Sequence, residues 1–278
     1  MRTLHWLSRD LRLHDNAALL AASQSDLLLL IYVVDPRWFR PGPLQGKALG
    51  SHRWRFLWQS LMALERKLQP HGQRLHIAFG EPESEIPRLV NEFGIQRVIR
   101  SRLPGTEEAV QWRTLKERLP NTLFQQFETL SLLTEGSLPM ALNGLPGTFS
   151  QFRKKVEKAG QRHSDALRIR TLNALPPPPG FPEDNRGECP PITEPQRPPI
   201  FQGGEDAGLD RLKEFVFQNH SIVTYKETRN ALDTWDASSK FSPWLANGSL
   251  SAREVAETIG EYERTETSNE STYWLWFE

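Results

Sequence analysis

The chain has 278 residues, of which 38% are apolar, and its 34 basic residues balance its 34 acidic residues. This length suits one large domain or two ordinary ones, and a neutral chain gives no general reason to bind nucleic acid, so any basic surface must be local. The single cysteine, Cys189, excludes an internal disulfide and a cysteine-rich zinc site. The longest apolar run, Leu27 to Val34, is too short to cross a bilayer, and the first residues lack the apolar core of a signal peptide. We therefore expect a soluble, cytoplasmic protein.

The first part of the chain alternates strand-like and helix-like segments. Short apolar runs predict strands over residues 4–7, 27–34, 75–79, 95–99 and 123–127. Apolar side chains at helical spacing predict helices over residues 16–22, 51–68, 83–93 and 106–119, the first of them capped by Asp15. The alternation predicts a Rossmann-like, doubly wound parallel five-stranded sheet, which binds ligands at the carboxyl ends of its strands. The glycine fingerprints of dinucleotide-binding and P-loop proteins are absent from the sequence.

A proline-rich stretch follows this α/β part, between Leu172 and Gly203, and includes four consecutive prolines at 176–179. Proline fixes φ and removes a backbone donor, so the stretch is neither a helix nor a central strand. We interpret it as an extended interdomain linker. From Gly204 onward the apolar spacing is helical again, which predicts helices over residues 207–218, 224–232, 251–263 and from 271 onward.

Charged residues cluster directly after the first predicted strand, in the loop that begins at Arg9 and ends at Asn16. In an α/β fold this loop lies at the carboxyl edge of the sheet. Arg9, Asp10 and Arg12 can pair with one another, or they can pair with a neighbouring domain. We favour a structural ion-pair cluster.

The segment Ser238–Ser251 concentrates groups that bind anions. The hydroxyls of Ser238, Ser239 and Ser242, the ammonium of Lys240 and the backbone N–H groups at the start of a following helix predict a phosphate or pyrophosphate site. A solvated, serine-rich turn is the alternative interpretation.

The order of several motifs is more specific than any one of them. The opening Arg-Asp-Leu-Arg-x-x-Asp-Asn at residues 9–16 and the segment 148–154 resemble the DNA photolyase/cryptochrome family. The segments 203–212, 225–230, 239–251 and 269–278 resemble the DASH type of that family. The resemblance runs over the whole chain.

The resemblance implies a domain organisation. Residues 1–170 would form the α/β antenna domain, residues 171–202 the proline-rich linker, and residues 203–278 the start of an incomplete all-α FAD-binding domain. It also implies an FAD cofactor and allows a 5,10-methenyltetrahydrofolate antenna.

The resemblance carries roles onto particular residues of this sequence. The FAD-binding positions are Tyr225, Ser238, Ser239, Lys240, Phe241 and Ser242. Glu107 or Glu108 matches the folate contact, with helix N-terminal charge as the alternative role. Trp274 and Glu278 match the DNA-lesion pocket.

The implied function is that of a blue-light flavoprotein, either a photoreceptor or a cyclobutane pyrimidine dimer photolyase acting in DNA repair. Photolyases are light-driven lyases: excited, reduced FAD passes an electron to the dimer, which splits and returns it. The DASH type resembles photolyases that prefer single-stranded DNA, which spares the cost of unpairing the target.

The sequence departs from the family at its end, since the chain stops at Glu278, before a Trp-Arg-Glu motif and the residues that grip the flavin ring. We therefore expect a chain truncated within the FAD domain, inactive alone and weak in FAD binding, unless a second chain completes the helical domain. The alternative is a non-catalytic remnant whose α/β domain binds folate or no ligand. An unrelated nucleotide-binding α/β protein is disfavoured because the phosphate fingerprints are missing.

Overall fold

The computed structural model describes residues 1–42, 46–160, 175–182, 185–193, 200–231, 234–266 and 269–277. Within these residues a parallel sheet has five strands in the order β3-β2-β1-β4-β5. The strands are β1 Arg2–Leu7, β2 Leu27–Val34, β3 Leu75–Phe79, β4 Arg97–Ser101 and β5 Leu123–Phe127. This order confirms the predicted Rossmann-like, doubly wound α/β fold, in which the chain adds strands to one side of β1 and then to the other.

The helices divide into those that connect the strands and those that follow the sheet. The connecting helices are α1 Ala17–Ala22, α2 Ser51–Leu68, α3 Pro82–Phe93 and α4 Thr106–Arg118. The later helices are α5 Phe149–Lys158, α6 Glu205–Lys213, α7 Tyr225–Thr228, α8 Ser242–Asn247, α9 Ala252–Thr265 and α10 Glu270–Phe277, and α6 continues as a π-helix over Glu214–Gln218. No helix among the described residues is both long and apolar enough to span a membrane.

Strand β2 explains how the core is built. Its alternate residues Leu28, Leu30 and Tyr32 pack with α1 and α2 on one face, while Leu29 and Ile31 pack with α3 and α4 on the other. A strand buried on both faces has no polar side, which is why the sequence shows an unbroken apolar run.

Three of the differences between predicted and observed boundaries have a clear physical reason. Asn16, not Asp15, caps α1: its side chain accepts from the backbone N–H of Leu19, because Asn16 has the extended backbone that a cap needs, whereas Asp15 has φ +41°. Strand β4 starts two residues later than predicted, because the N–H of Ile95 still bonds to α3. Helix α7 is short because it ends in a turn from Thr228 to Ala231.

The described part of the proline-rich stretch lies against the α/β core. Leu175 is buried in that core, and the carbonyl of Pro177 accepts from the N–H of Leu28 at the start of β2. Arg186 pairs with Glu65 on α2 at 3.0 Å through both of its terminal nitrogens. The predicted domain boundaries stay a prediction, since residues 170 and 171 lie outside the described residues.

The chain folds into two compact units. Unit 1 comprises Met1–Leu130, Arg168–Arg211 and Phe241–Leu250, and unit 2 comprises Ser131–Leu167, Leu212–Lys240 and Ser251–Glu278. Unit 1 holds the sheet. Unit 2 is helical, and its buried core includes Phe215, Ile222, Ile259 and Tyr262.

Candidate functional site

A cavity of about 1780 Å³ opens within unit 1 at the carboxyl edge of the sheet. Its lining includes Trp6 at the end of β1, Arg9 in the loop that follows, Tyr32 from β2, and the first turns of α2 and α4. The chain leaves β1 and β4 toward opposite sides of the sheet, and ligands of doubly wound folds bind at this switch point. We call this space the switch-point cavity.

The first turn of α4 forms an acidic wall of the switch-point cavity. Glu107 and Glu108 both line it. Glu107 is exposed, whereas Glu108 is 28% exposed and lies 3.6 Å from a guanidinium nitrogen of Arg9. The positive end of the helix stabilises both carboxylates. Of the two residues between which the sequence could not choose, Glu108 is the one whose carboxylate is partly buried and lies near a cation.

A buried arginine stacks behind one aromatic side chain of the cavity. The guanidinium carbon of Arg100 lies 5.0 Å from the ring centre of Trp6 and 4.4 Å from that of Trp112. Its Nη2 donates to the carbonyl of Glu108 at 2.8 Å. Burial lowers the pKa of Arg100 to about 10, with Glu108 opposing. This stack ties the Trp6 ring to the acidic wall, and sequence patterns gave no signal for it.

The loop after β1 is held by a buried carboxylate. Asp10 accepts from the N–H of Ser8 at 2.7 Å and from the hydroxyl of Ser101 at 2.6 Å, and it lies 3.4 Å from the ring of His5. Burial opposes its ionisation, but the interactions with His5, Ser101 and Ser8 outweigh burial and lower the pKa of Asp10. The charged loop is therefore built around hydrogen bonds rather than around surface ion pairs.

Arg12 is the centre of this loop. Its side chain is 1% exposed and donates to the carbonyls of His14, Asp15, Thr129 and Gly248 at 2.7–3.0 Å. It also lies 3.8 Å from the Asp15 carboxylate, but the carbonyl contacts are shorter. The chain itself thus satisfies this buried cation.

Glu205, the first residue of α6, binds the same loop. Its carboxylate accepts from the backbone N–H groups of Leu13 and His14 at 3.1 and 3.0 Å and pairs with the His14 ring at 2.6 Å. Lys67 lies 3.1 Å away. Burial alone would raise the pKa of Glu205, but the bonds and charges of His14 and Lys67 lower it to about 2.

Tyr225, a predicted flavin contact, is buried in unit 2 at the start of α7. Its ring meets Phe215 edge-on at 6.1 Å, and burial raises the pKa of its hydroxyl. Thr228, at the end of α7, donates to the carbonyl of Ala237 at 2.8 Å, just before Ser238. This bond links α7 to the predicted phosphate-binding turn.

The predicted phosphate-binding turn divides between the units. Ser238, Ser239 and Lys240 are half-buried in unit 2, and Lys240 has a left-handed backbone with φ +59°. Phe241 and Ser242 belong to unit 1, where Phe241 is buried and Ser242 is the exposed first residue of α8. Their role in FAD binding stays a prediction.

Trp274 of α10, a predicted lesion-pocket residue, is half-buried between two arginines of unit 2. The guanidinium carbons of Arg229 and Arg153 lie 4.7 and 5.7 Å from its ring centre. Glu278, the other predicted lesion-pocket residue, lies outside the described residues. Within the described residues, no group of three or more His, Cys, Asp or Glu side chains could hold a metal ion.

The fold and the cavity define a class of protein: a doubly wound α/β protein with a ligand-sized cavity at its switch point. The DNA photolyase family model matches residues 3–179. The chain belongs to the DNA photolyase family.

Relatives point to one type within the family. The chain is 37% identical over 276 residues to the cryptochrome DASH of Idiomarina loihiensis, which covers 97% of this chain and 59% of that protein. It is 36% identical over 287 residues to the cryptochrome DASH of Gloeobacter violaceus, which covers 99% of this chain and 56% of that protein. The chain thus spans less than two thirds of the length of these curated relatives.

Comparison with solved structures agrees with these sequence matches. The Synechocystis cryptochrome matches with a TM-score of 0.90 at 33% identity, over 99% of this chain and 58% of that one. A class III photolyase from Agrobacterium tumefaciens matches with a TM-score of 0.79 at 23% identity, over 99% and 56%, which shows a shared fold. The predicted family and its DASH likeness are confirmed.

Proposed function

We propose that this chain is part of a DASH-type blue-light flavoprotein whose α/β unit binds an antenna chromophore in the switch-point cavity. The observation that carries the proposal is the cavity itself, which combines aromatic rings with the half-buried carboxylate of Glu108. Ligand sites have this character: an apolar, aromatic lining with a few fixed polar groups.

The residues present fit a methenyltetrahydrofolate antenna. A pterin ring carries neighbouring N–H donors, and Glu108 offers a carboxylate acceptor, with Glu107 one residue away. The rings of Trp6 and Tyr32 supply aromatic surface for a planar ligand. Arg100 holds the Trp6 ring in place, so this wall is already formed before a ligand binds.

FAD is the second cofactor that we propose, held by Tyr225, Ser238, Ser239, Lys240, Phe241 and Ser242. Hydroxyls and an ammonium are suitable donors to phosphate oxygens, and the half-buried positions of Ser238, Ser239 and Lys240 support that role. Bound reduced FAD supplies, after absorbing blue light, the electron that splits a pyrimidine dimer.

We further propose that DNA containing pyrimidine dimers is the substrate, preferentially as a single strand. Trp274 supports this proposal, because an aromatic ring flanked by Arg153 and Arg229 combines a stacking surface for bases with cations for phosphates. An unpaired base spares the enzyme the cost of extrusion.

A non-catalytic chain that only binds a chromophore is the second candidate. The switch-point cavity favours it, since all of its lining residues belong to unit 1, so ligand binding there needs no residue of unit 2.

The first experiment is an absorption spectrum of the purified chain, followed by fluorescence titration with methenyltetrahydrofolate. Glu108→Gln removes the carboxylate charge and should weaken binding about tenfold, since a hydrogen bond to a charged group contributes ~1.5–3 kcal/mol. The exposed Glu107→Gln is the matched control and should change affinity less. Equal affinity of wild type and both variants would exclude the acidic wall as the folate contact.

A second experiment tests the DNA and flavin roles. Trp274→Ala should weaken binding of a dimer-containing single strand by about tenfold or more, because base stacking contributes ~1–3 kcal/mol. Phe149→Ala, at an exposed aromatic of the same unit, is the control. FAD retention is measured on the chain alone and with the remaining length of a relative added as a second polypeptide. An oligonucleotide affinity that is equal in the two variants removes the proposed role of Trp274.

A further inference from the structure

Arg55, on the first turns of α2, is a buried cation for which the described residues provide no partner. Its side chain is 9% exposed and lines the switch-point cavity. No described residue forms a hydrogen bond or an ion pair with it, and its Nε is fully buried. A buried guanidinium without an acceptor costs free energy, so its retention at a cavity wall points to a group that is supplied from outside the chain.

The other arginines that line the cavity each lie near an acceptor of the chain. Arg37 pairs with Asp35 at 2.5 Å and with Glu83 at 3.0 Å. Arg9 lies near Glu108, and Arg53 donates to the carbonyl of Ala48 at 3.0 Å. Arg55 therefore differs from these neighbours in having no acceptor among the described residues.

The start of α2 adds donors on the same side of the cavity. Gly50, which precedes the helix, provides no side-chain cap, and the N–H groups of the first helical turn have no acceptor within the helix. Ser51 and Arg55 are four residues apart and so share one face of α2, and both line the cavity. Free N–H groups, the positive end of an 18-residue helix and a guanidinium are together suited to an anion.

We infer that Arg55 and the first turn of α2 form an anion subsite, which binds the phosphate or carboxylate tail of a ligand whose aromatic ring lies elsewhere in the cavity. This inference rests on the proposed antenna function. It extends that function, because it gives the cavity two binding regions of opposite charge. The acidic wall at α4 accepts from ring N–H groups, and the start of α2 binds the negative tail.

Paired probes that differ only in the tail test the subsite. Flavin mononucleotide and riboflavin share one ring and differ by a phosphate, while triglutamyl and monoglutamyl methenyltetrahydrofolate differ in carboxylates. In the wild-type chain the more anionic member of at least one pair should bind about tenfold more tightly, and which pair shows the preference distinguishes phosphate from carboxylate. Fluorescence titration gives all four affinities.

Three substitutions locate the preference. Arg55→Met keeps the length of the side chain, removes its charge, and should reduce the preference to below about twofold. Arg55→Lys should restore part of it. Arg53→Met removes the same charge from the same helical turn and should leave the preference in place, since Arg53 already binds Ala48.

A titration of the wild-type chain with inorganic phosphate, monitored through the NMR signal of the Arg55 Nε–H group, does not depend on any variant folding. A shift of that signal supports the subsite even if no ring binds, in which case only the antenna proposal fails. Equal affinity for both members of each pair, or a preference that survives in Arg55→Met, overturns the subsite and leaves the antenna proposal standing. Absence of both ring and phosphate binding overturns both.

Discussion

Two buried arginines of unit 1 differ in whether the chain provides acceptors for their guanidinium groups. Arg12, in the loop after β1, donates to four backbone carbonyls. Arg55, on α2, has no partner among the described residues. Removing a partner from a buried polar group costs ~1–3 kcal/mol, so the first arginine stabilises the fold, while the second adds nothing to it. Asking whether the chain provides hydrogen-bond partners for a buried polar group therefore separates structural side chains from candidate ligand-binding ones.

The largest expected effect comes from Arg12→Met. The substitution leaves the carbonyls of His14, Asp15, Thr129 and Gly248 without their donor, so we expect the free energy of unfolding to fall by ~3–5 kcal/mol. Urea denaturation at pH 7 measures it. Arg9→Met, at an arginine that is 54% exposed, is the control and should cost no more than ~1 kcal/mol. A similar loss in both variants would mean that burial of Arg12 does not matter.

Gly248→Ala tests the carbonyl partner of Arg12. Gly248 has φ +74°, and an added Cβ would collide with the backbone carbonyl of Arg9, so we expect a loss of ~2–4 kcal/mol. Gly72 has nearly the same backbone, with φ +72°, but open space around its Cα. Gly72→Ala should therefore cost only ~1 kcal/mol, the strain of the left-handed backbone. The difference in melting temperature between the two variants measures the cost of the collision, and equal melting temperatures would rule it out.

Glu205→Gln extends the comparison to pH. Because the pKa of Glu205 falls to about 2 in the folded state, its stabilisation is present above the unfolded-state pKa and is lost as pH falls through the folded one. We expect the variant to be ~2–3 kcal/mol less stable at pH 7, with the difference shrinking below about pH 4. Asp206→Asn, at a carboxylate that is 69% exposed, is the control and should show little difference. A pH-independent gap between wild type and Glu205→Gln would disprove the linkage.

The smallest expected effect is that of Arg55→Met on the chain without ligand. The same kind of substitution that destabilises the protein at Arg12 should here leave stability unchanged or raise it by up to ~1 kcal/mol, since an apolar side chain replaces a buried charge that has no partner among the described residues. Urea denaturation in phosphate-free buffer measures it. A loss similar to that of Arg12→Met would show that Arg55 is structural.

Local patterns were sufficient for most of the sheet. The predicted bounds of β2, α2, β3 and β5 match the structure, because an apolar run or a helical period depends only on neighbours in sequence. The carboxyl edge of the sheet was also predicted as the ligand-binding edge, and the cavity lies there.

Contacts between residues distant in sequence were not predictable in the same way. The bond from Arg12 to Gly248 joins residues 236 positions apart, and the stacking of Arg100 between Trp6 and Trp112 depends on which strands become neighbours. The sequence also gave no indication that Arg55 is buried without a partner among the described residues. In sequence, an arginine near the start of a helix is indistinguishable from one on a solvated face.

The long separation between Arg12 and its last acceptor has a consequence during protein synthesis. A ribosome adds about 5–20 residues per second, so roughly 10–50 s pass between the appearance of Arg12 and that of Gly248. Throughout that interval the nascent α/β unit carries an incompletely bonded loop, and Glu205 also arrives late. The loop after β1, although made early, therefore gains its full set of hydrogen bonds only after Glu205 and Gly248 have been added. Vectorial synthesis therefore leaves this loop incompletely bonded for most of the time that the chain takes to be translated.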